Sequence, residues 1–452
     1  MAQVKDFLSD NLCAVIRFRY FCSMRPDIYF FNPTCELAVA NGSANFMAPA
    51  KLRQFERELS TLPWLLAKPK DIILVDQVPP QQFNDQLENA GFNLPEFSES
   101  ENCLSNPAFL TQQFGFLFPW GWSPAAHHFL SPLKSGCCPE YLNAPVSDWR
   151  QVHRELYSRK SALKILHNIV INSNSDDLPS LKELPEICTT HEDILRLQQK
   201  WPIVVVKAPW SSSGRGLQIL RKNEYNQTNR QVISGVLKQQ QYVVAGPWHQ
   251  KIMDLSFQFF SLGNGKIEYR GLSSFSTDTA GRYKGNFIQE LPPDLPDEVN
   301  LFIQRNLEKI RIAITDNLIA SEYSTGYYGW IGVDALIYQS ADGKLKFHPC
   351  IEINCRYTMG AIAIALRSHL AAQSTGEFRI IHGNQGHFAK LCEEMRYKEP
   401  LIVESGKIIR GFLPVTPPFS ENSFGAYISV KEANNLTIRQ FDNSTIQQLD
   451  NL

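Results

Sequence analysis

A hairpin pattern between residues 329 and 354 constrains the fold more than any other part of the sequence. Two strand-like runs, GWIGVDALIYQ and LKFHPCIEIN, flank the segment SADGK, and an Asp-Gly pair is typical of a tight turn between antiparallel strands. Side chains alternate between the two faces of a strand, so Glu352, Asn354 and Arg356 point to one side. The sequence therefore predicts a hairpin with one polar face; a half-exposed strand whose polar residues face water is the alternative.

A second polar feature is the segment VVVKAPWSSSGRG at residues 204–216. Lys207 ends a predicted buried strand, and small residues follow it. Such a loop exposes backbone N–H groups, and glycine lets the backbone approach an oxyanion closely. The segment matches neither the Walker A pattern nor the dinucleotide-binding glycine pattern. It predicts either a phosphate site of another type or an ordinary Ser/Gly turn. The loop residues that would meet phosphate are Ser211, Ser212, Ser213, Gly214, Arg215 and Gly216.

The hairpin and the loop have complementary chemistry. Asp334 on the first strand of the hairpin, and Glu352 with Asn354 on the second, offer hard oxygen ligands of the kind that suit Mg²⁺. The loop offers N–H donors, the Lys207 ammonium group and the Arg215 guanidinium group to phosphate oxygens. A magnesium-bound nucleotide requires both sets, so we expect the loop and the hairpin to meet around one such ligand.

The rest of the pattern predicts an α/β protein. Buried strands at 27–33 and 70–76 flank a helical segment, which is typical of a parallel α/β unit. Ligands of such sheets bind beyond the carboxyl ends of the strands, so Asn32 and Glu36 are candidate substrate contacts. Local turn chemistry is the alternative explanation for these two residues. Further along the chain, the pattern predicts a helical segment over 147–170, with Ser147 or Asp148 as its N-cap.

Composition narrows the choice of partners. The chain has 452 residues and a formal net charge of −1, which argues against a broad nucleic-acid or anionic-membrane surface. No run of 18 apolar residues occurs, so no transmembrane helix is expected. Ten cysteines are scattered without a C-x-x-C pair, which favours reduced thiols. We therefore expect a cytoplasmic protein without nucleic-acid or membrane partners.

In the order of these motifs, the chain resembles the ATP-grasp superfamily of carboxylate–amine and carboxylate–thiol ligases over roughly residues 150–365. The pair GVDAL and EINCR is the most specific part of the resemblance, because order, spacing and hairpin context agree. The resemblance implies that Asp334, Glu352 and Asn354 are metal ligands. It also implies a place for Arg356 beside the reacting phosphate.

The resemblance extends to the nucleotide. It implies that Lys160 is the first nucleotide-binding lysine and that Lys207 is the second, with a catalytic role besides. The segment QYVVAGPW stands where the family has the hinge that holds adenine, so Val243 and Val244 are expected at the base. Family members often have a glutamate here for the ribose, where this chain has Ala-Gly. Asp254 is the candidate substitute.

The resemblance also implies an architecture. We expect an N-terminal α/β domain of the pre-ATP-grasp type, a small lid subdomain and a C-terminal antiparallel-sheet domain. The expected boundaries are an N-terminal extension at 1–23, the α/β domain at 24–145, a helical connection with the lid at 146–246, and a C-terminal part with the metal site and a β-rich tail at 247–452.

The family chemistry is the formation of an amide or peptide-like bond through an acyl-phosphate. It implies ATP and Mg²⁺, as one or two ions with Mn²⁺ as a possible substitute, and small-molecule carboxylate and amine substrates. A non-catalytic ATP-binding regulator and an ATP-grasp kinase are alternatives, and the oligomeric state stays open between a monomer and a homodimer. Besides Asn32 and Glu36, the candidate substrate residues are Arg270, Arg282, Tyr283 and Lys284.

Overall fold

Three sheets organise the chain in this computed structural model. A four-stranded parallel sheet comes first, a four-stranded antiparallel sheet second, and a nine-stranded antiparallel sheet last. This is the α/β architecture expected from the sequence, with an N-terminal α/β unit, a small second sheet and a large antiparallel sheet. The structure describes residues 24–173, 175–211, 216–222, 224–278 and 281–432.

The first sheet has the strand order β3-β2-β1-β4, and all its pairings are parallel. Its central strands are continuous apolar runs because helices and the rest of the protein cover both faces. Asn32 follows β1, and Asp76 follows β2, so both lie at the carboxyl edge of the sheet. The strands are β1 (Ile28–Phe30), β2 (Ile72–Val75), β3 (Glu96–Glu99) and β4 (Leu117–Pro119). The α-helices are α1 (Cys35–Asn41), α2 (Ala50–Glu58), α3 (Gln81–Asn89), α4 (Ser100–Ser105), α5 (Pro107–Leu110), α6 (Pro124–Phe129) and α7 (Pro139–Leu142), with 3₁₀ turns at Leu62–Leu65, Ser131–Gly136 and Pro145–Ser147.

The helical segment predicted over 147–170 is present as two helices, and the predicted N-cap at Ser147 or Asp148 is wrong, because the first helix begins at Gln151 with Arg150 as its N-cap. The chain forms α8 (Gln151–Leu156) and α9 (Arg159–Ile171). Ser158 caps the second helix, because its hydroxyl accepts a hydrogen bond from the N–H of Lys160 at 3.1 Å. The break makes Arg159 the first residue of α9, where its side chain leaves the helix end instead of lying along a helical face.

The second sheet has the order β5-β8-β6-β7 and is antiparallel. Two helices cover one face, and Val204 and Val206 are buried against them. Because side chains alternate along a strand, Val205 and Lys207 point to the opposite face. The elements are β5 (Glu186–Cys188), β6 (Ile203–Lys207), β7 (Leu217–Arg221) and β8 (Val243–Pro247), with α10 (His191–Lys200), α11 (Gln227–Gln240) and a 3₁₀ turn at Leu181–Glu183.

The third sheet has the order β13-β12-β9-β10-β11-β14-β17-β16-β15. On β9, Leu255, Phe257 and Phe259 belong to a core shared with α9. The intervening residues Ser256 and Gln258 are polar and form the opposite face. The strands are β9 (Gln250–Leu262), β10 (Ile267–Thr277), β11 (Tyr283–Phe287), β12 (Tyr328–Gln339), β13 (Leu345–Asn354), β14 (Ser374–His382), β15 (Ile402–Glu404), β16 (Lys407–Pro414) and β17 (Phe424–Glu432). The helices are α12 (Asp297–Ile319), α13 (Glu322–Thr325), α14 (Met359–Arg367) and α15 (His387–Lys398).

Two further expectations concern cysteine and the membrane. In the described ranges, Cys138 departs from the expectation of reduced thiols, because it is disulfide-bonded. Seven other cysteines there are free and buried, as expected for small core residues. None of the helices within the described residues combines the length and apolar character needed to cross a bilayer.

Candidate functional site

The predicted hairpin is present, and its polar face carries the three candidate metal ligands. Strands β12 and β13 pair antiparallel, with Asp334 directly opposite Glu352 and Gly332 opposite Asn354. The Asn354 amide donates to Asp334 Oδ2 at 3.1 Å. Two carboxylates and one amide therefore lie together on one face of the large sheet.

The electrostatics of this face favour a cation. Burial and the neighbouring Glu352 carboxylate raise the pKa of Asp334 to about 7, although a hydrogen bond from Ser256 works against this rise. The Ser256 hydroxyl donates to Asp334 Oδ1 at 2.7 Å. Because ionisation of Asp334 is disfavoured beside Glu352, a positive charge shared by the two carboxylates would stabilise the ionised form of Asp334. Within the described residues, no cluster of three or more His, Cys, Asp or Glu side chains has metal-holding geometry, so the set of ligands here is two carboxylates and an amide.

Arg159 joins the hairpin to the loop after β6. Its Nη1 atom lies 2.8 Å from Glu352 Oε2. Its Nε atom donates to the Ala208 carbonyl at 3.0 Å, and its Nη2 atom donates to the Ser211 carbonyl at 3.1 Å and the Ser211 hydroxyl at 3.3 Å. The backbone N–H of Arg159 also donates to the Pro209 carbonyl at 3.1 Å. The loop and the hairpin therefore meet, as the complementary chemistry predicted, and one arginine makes the connection.

Lys207 lies half-buried at the end of β6, beside this connection. Burial and the neighbouring Arg159 guanidinium lower the pKa of Lys207 to about 8, against the attraction of Glu352, Asp334 and Asp254. Lys207 and Arg159 both line the cleft beside β13, and Arg159 contacts Glu352.

Arg356 connects the large sheet to the parallel sheet. Its Nε atom pairs with the Glu36 carboxylate, and its Nη2 atom donates to Asn354 Oδ1 at 3.0 Å. The side chains of Arg356 and Glu36 are 15% and 4% exposed, so this is a buried ion pair. Burial alone would lower the pKa of Arg356, but the Glu36 carboxylate raises it. Arg356 is therefore held charged and in one orientation next to the candidate metal ligands.

A chain of hydrogen bonds between buried polar side chains orients Asp334. Gln258, which is fully buried, donates to the Ser256 hydroxyl at 2.7 Å and accepts from the Thr358 hydroxyl at 2.8 Å. Thr358 caps α14, because its hydroxyl accepts from the Ala361 N–H at 3.3 Å. Each of these side chains is hydrogen-bonded to the next, so the orientation of Asp334 is fixed through several hydrogen bonds.

An apolar cleft lies between the second sheet, α9 and β13. Val205 and Val244 line it from the small sheet, and Leu163 and Leu166 line it from the helix. Arg159 and Lys207 also line the cleft. Val244 of β8, the strand predicted as the hinge, lines the cleft, whereas Val243 packs into the core under the helices of the small sheet. The adenine-binding role of this strand stays a prediction.

The candidate ribose contact, Asp254, is engaged within the protein. Its Oδ2 atom accepts from Lys251 Nζ at 2.5 Å and from the Thr277 hydroxyl at 3.1 Å. Burial raises the pKa of Asp254, although Lys251 lowers it. Its role at the ribose stays a prediction.

Lys160 stands apart from these contacts, and most of the loop lies outside the described residues. Lys160 is exposed on the first turn of α9, and the neighbouring Arg159 is the cation that reaches the carboxylates. Ser212, Ser213, Gly214 and Arg215 lie outside the described residues. Ser211 is buried and Gly216 closes the loop, because its carbonyl accepts from the Ala208 N–H at 3.3 Å.

The candidate substrate residues do not form one group. Asn32 exchanges hydrogen bonds with the backbone of Gly121, and so holds β4 beside β1. Arg270 pairs with Glu268 on an exposed part of β10. In the predicted substrate loop, Arg282 pairs with Asp278 at 2.8 Å, Tyr283 donates to Asn286 Oδ1 at 2.5 Å, and Lys284 is exposed. Of the six candidates, Glu36 is the one in direct contact with the site, through Arg356.

Three residues of the site were not predicted: Arg159, Ser256 and Gln258. Arg159 stands next to the predicted Lys160, and Ser158 before it is a good N-cap residue, so a helix start at Ser158 was a readable signal. Ser256 and Gln258 alternate with apolar residues in DLSFQFFSL, which is the pattern of a strand with one polar face. The pattern does not indicate which strands pair with this one in the sheet.

Similarity to solved structures extends over most of the chain, at low identity. N5-carboxyaminoimidazole synthetase from Staphylococcus aureus, in complex with ADP, is 12% identical, with a TM-score of 0.44 and coverage of 94% of this chain and 96% of that one. The biotin carboxylase domain of the 2-oxoglutarate carboxylase from Hydrogenobacter thermophilus is 13% identical, with a TM-score of 0.45 and coverage of 90% and 86%. Phosphoribosylamine–glycine ligase from Thermotoga maritima is 13% identical, with a TM-score of 0.46 and coverage of 90% and 92%.

No protein-family model and no curated protein matches this sequence. TM-scores below 0.5 do not carry a function from one protein to another, so the function of this chain rests on the residues of its own site.

Proposed function

We propose that this protein is an ATP- and Mg²⁺-dependent ligase, which joins a carboxylate to an amine through an acyl-phosphate. One observation carries the proposal: Arg159 bridges Glu352 on the hairpin and Ser211 on the small-residue loop. The same arginine lines an apolar cleft together with Lys207 and with Cys350 and Ile351 of β13. Apolar side chains beside two cations match the base and the phosphates of a nucleoside triphosphate.

The ligand set fits Mg²⁺. Asp334, Glu352 and Asn354 supply carboxylate and amide oxygens, which are the ligand types this ion prefers. The raised pKa of Asp334, caused by burial and by Glu352, means that a nearby positive charge stabilises the ionised pair. When bound, Mg²⁺ would neutralise charge on the phosphate oxygens and orient the terminal phosphate.

The nucleotide would lie with its base in the apolar cleft and its phosphates toward the cations. Val205, Val244, Leu163 and Leu166 offer apolar surface to the base. Arg159 and Lys207 offer two positive charges at the end of the cleft where the carboxylates lie. In this assignment Arg159 takes the phosphate role that the sequence resemblance gave to Lys160.

The residues of the chain then act mainly by charge and position. A unit charge pair 4 Å apart is worth about 4 kcal/mol at an effective dielectric of 20, so several cations around the phosphates can account for much of a phosphoryl-transfer barrier. Arg356 has its guanidinium orientation set by Glu36 and Asn354, so it can meet the developing charge without reorganising. The acid and the amine would reach Arg356 from the carboxyl edge of the parallel sheet, where Glu36 lies.

The test is ADP formation by the purified full chain. With ATP, Mg²⁺ and pools of carboxylic acids and amines, we expect ADP only when an acid is present, and a product whose mass is the sum of acid and amine minus water. Glu352→Gln should reduce the rate by at least about 100-fold, because it removes a charged metal ligand. The exposed Glu404 provides the matched control, Glu404→Gln, which should leave the rate unchanged.

Three other outcomes of this experiment would reject the ligase proposal. Tight ATP binding without ADP from any acid and amine identifies a non-catalytic nucleotide-binding protein. A stable phosphorylated product identifies a kinase. If no nucleotide binds at millimolar concentration, the site itself is wrongly assigned.

A further inference from the structure

Two histidines, His249 and His348, line the apolar cleft together with its valines and leucines. Their ring centroids are 5.6 Å apart. His348 lies on β13 four residues before Glu352, the carboxylate that contacts Arg159, so the Cα atoms of His348 and Glu352 are at most about 14 Å apart. An extended nucleoside triphosphate spans a comparable length from its base to its terminal phosphate. The histidines therefore lie where the base would be if the phosphates meet Arg159.

The backbone of β8, the strand predicted as the hinge, is committed to its sheet. The strand lies between β5 and β6, and residues 243–245 pair with β5 while residues 244–247 pair with β6. Pro247 has no N–H group. The N–H of the next residue, Trp248, donates to the Ile203 carbonyl at 3.1 Å. A base that lies against β8 therefore meets no free backbone donor along this described stretch, so we look to side chains for the hydrogen bonds to its polar edge.

His249 is the more open of the two histidines, and its ring has no polar partner in the described part of the chain. The ring packs against Tyr338, with the two centroids 4.0 Å apart. No hydrogen bond joins the imidazole of His249, which is half-buried, to a described residue. Burial lowers the pKa of His249 to about 4, and the Lys207 charge adds to this against the attraction of Glu183. The imidazole is therefore neutral at pH 7, with one donor and one acceptor.

His348 forms the enclosed wall behind His249. It is 1% exposed, and its Nδ1 atom has no hydrogen-bond partner among the residues that the structure describes. Burial lowers the pKa of His348 well below its usual range, and His249 and Lys207 would repel a proton there as well. Both rings are thus uncharged at neutral pH, so this part of the cleft is polar but neutral, as a nucleobase is. Because His348 is enclosed, the direct contact with a ligand falls to His249.

We propose that the His249 imidazole, and not the backbone of β8, hydrogen-bonds to the nucleobase. The inference rests on the proposed function, because it concerns the nucleotide in the same cleft. A neutral imidazole nitrogen can accept from an exocyclic amino group or donate to a ring nitrogen of a base. The contact with Tyr338 holds the ring in place, so little side-chain freedom is lost on binding.

The test separates the base from the phosphates. Equilibrium binding to the full chain with Mg²⁺ is measured for ATP and for inorganic tripolyphosphate, which has no base. His249→Phe keeps a ring against Tyr338 and removes both nitrogens, so we expect about three- to tenfold weaker binding of ATP and unchanged binding of tripolyphosphate. His249→Gln supplies a donor and an acceptor again, and should bind ATP within about threefold of the unaltered chain. His128, which is exposed and outside the cleft, gives the matched control His128→Phe, which should change neither affinity.

The failure of this inference can be told apart from the failure of the proposed function. If His249→Phe is folded by thermal melting and binds ATP as the unaltered chain does, His249 does not read the base, while the nucleotide site stands. An equal loss for ATP and tripolyphosphate would also overturn the assignment, because the variant would then disturb the cleft as a whole. If His249→Phe does not fold, His249→Leu replaces it with the same expected losses. If the unaltered chain binds neither ligand, the proposed function fails and the inference fails with it.

Discussion

Replacing Arg159 by methionine tests the contact on which the proposed site depends. Arg159→Met keeps the length and the apolar stem of the side chain, and removes the charge and the forked donors. Glu352 then loses its partner at 2.8 Å, and the carbonyls of Ala208 and Ser211 lose their donors. We expect the loop after β6 to lose its fixed position over the hairpin.

The size of the effect can be bounded from the geometry. A charge pair separated by 2.8 Å has a Coulomb energy of about 6 kcal/mol at an effective dielectric of 20, which is an upper limit. Removing one partner of a buried pair costs about 3–5 kcal/mol in measured cases. Arg159 and Glu352 are 10% and 23% exposed, so we take the lower end of that range. The lower end is about 3 kcal/mol. If half or all of this is lost from the binding free energy of ATP, the affinity falls by about 1.5–3 kcal/mol, or roughly 10- to 100-fold.

The assay is equilibrium binding of ATP with Mg²⁺ to the purified chain. Lys160→Met is the matched control, because Lys160 is the neighbouring cation and is exposed. We expect Lys160→Met to change the ATP dissociation constant by less than about threefold. Arg159→Lys should be intermediate, since lysine keeps the charge but cannot reach the carboxylate and the loop at once. The reverse ranking, with Lys160→Met the more damaging variant, would refute the assignment of Arg159 and restore Lys160.

Two further predictions concern pH and the second buried ion pair. Burial, and then the Arg150 charge, lower the pKa of His153 to about 4, although the hydrogen bond from its Nε2 atom to the Gly326 carbonyl works against this. The unfolded chain binds this proton below about pH 6.5 and the folded chain does not, so the stability is complete above pH 6.5 and about 3 kcal/mol of it is lost as the pH falls toward 4. Melting curves of His153→Gln should depend less on pH between 7 and 4.5 than those of the unaltered chain; equal slopes would contradict the neutral His153. Glu36→Gln should lower kcat by about 10- to 100-fold and leave the ATP dissociation constant nearly unchanged, because Arg356 loses the partner that orients it. A change in ATP affinity with kcat intact would place Glu36 at the nucleotide instead.

The sequence was sufficient for the local parts of the site. The Asp-Gly turn between two strand-like runs predicted the hairpin, and the structure forms it. The turn alone does not pair Asp334 with Glu352, because an irregularity between Asp334 and Leu336 shifts the register to that pairing. A short continuous apolar run predicted β6 as a buried strand with Lys207 at its end. Both patterns depend on contacts between residues close in sequence, where the period of a strand and the chemistry of a turn decide the geometry.

The roles of Arg159, Glu36 and the predicted substrate residues required the tertiary structure. Arg159 and Glu352 are 193 positions apart in the numbering, and Glu36 and Arg356 are 320 apart, so no local pattern relates them. Glu36 is a candidate substrate contact by its place after β1, and in the fold it holds Arg356. Arg282 and Tyr283 pair within their own loop, which a loop sequence alone does not reveal.

Sequence alone therefore determined which side chains share a strand face and which residues can form a phosphate loop, because backbone periodicity and turn preferences act over a few residues. The packing of the three sheets decided which charged side chains come into contact. A buried charge is stable only beside a partner, and that partner is chosen by the approach of distant elements, as Arg159 shows between the loop and the hairpin.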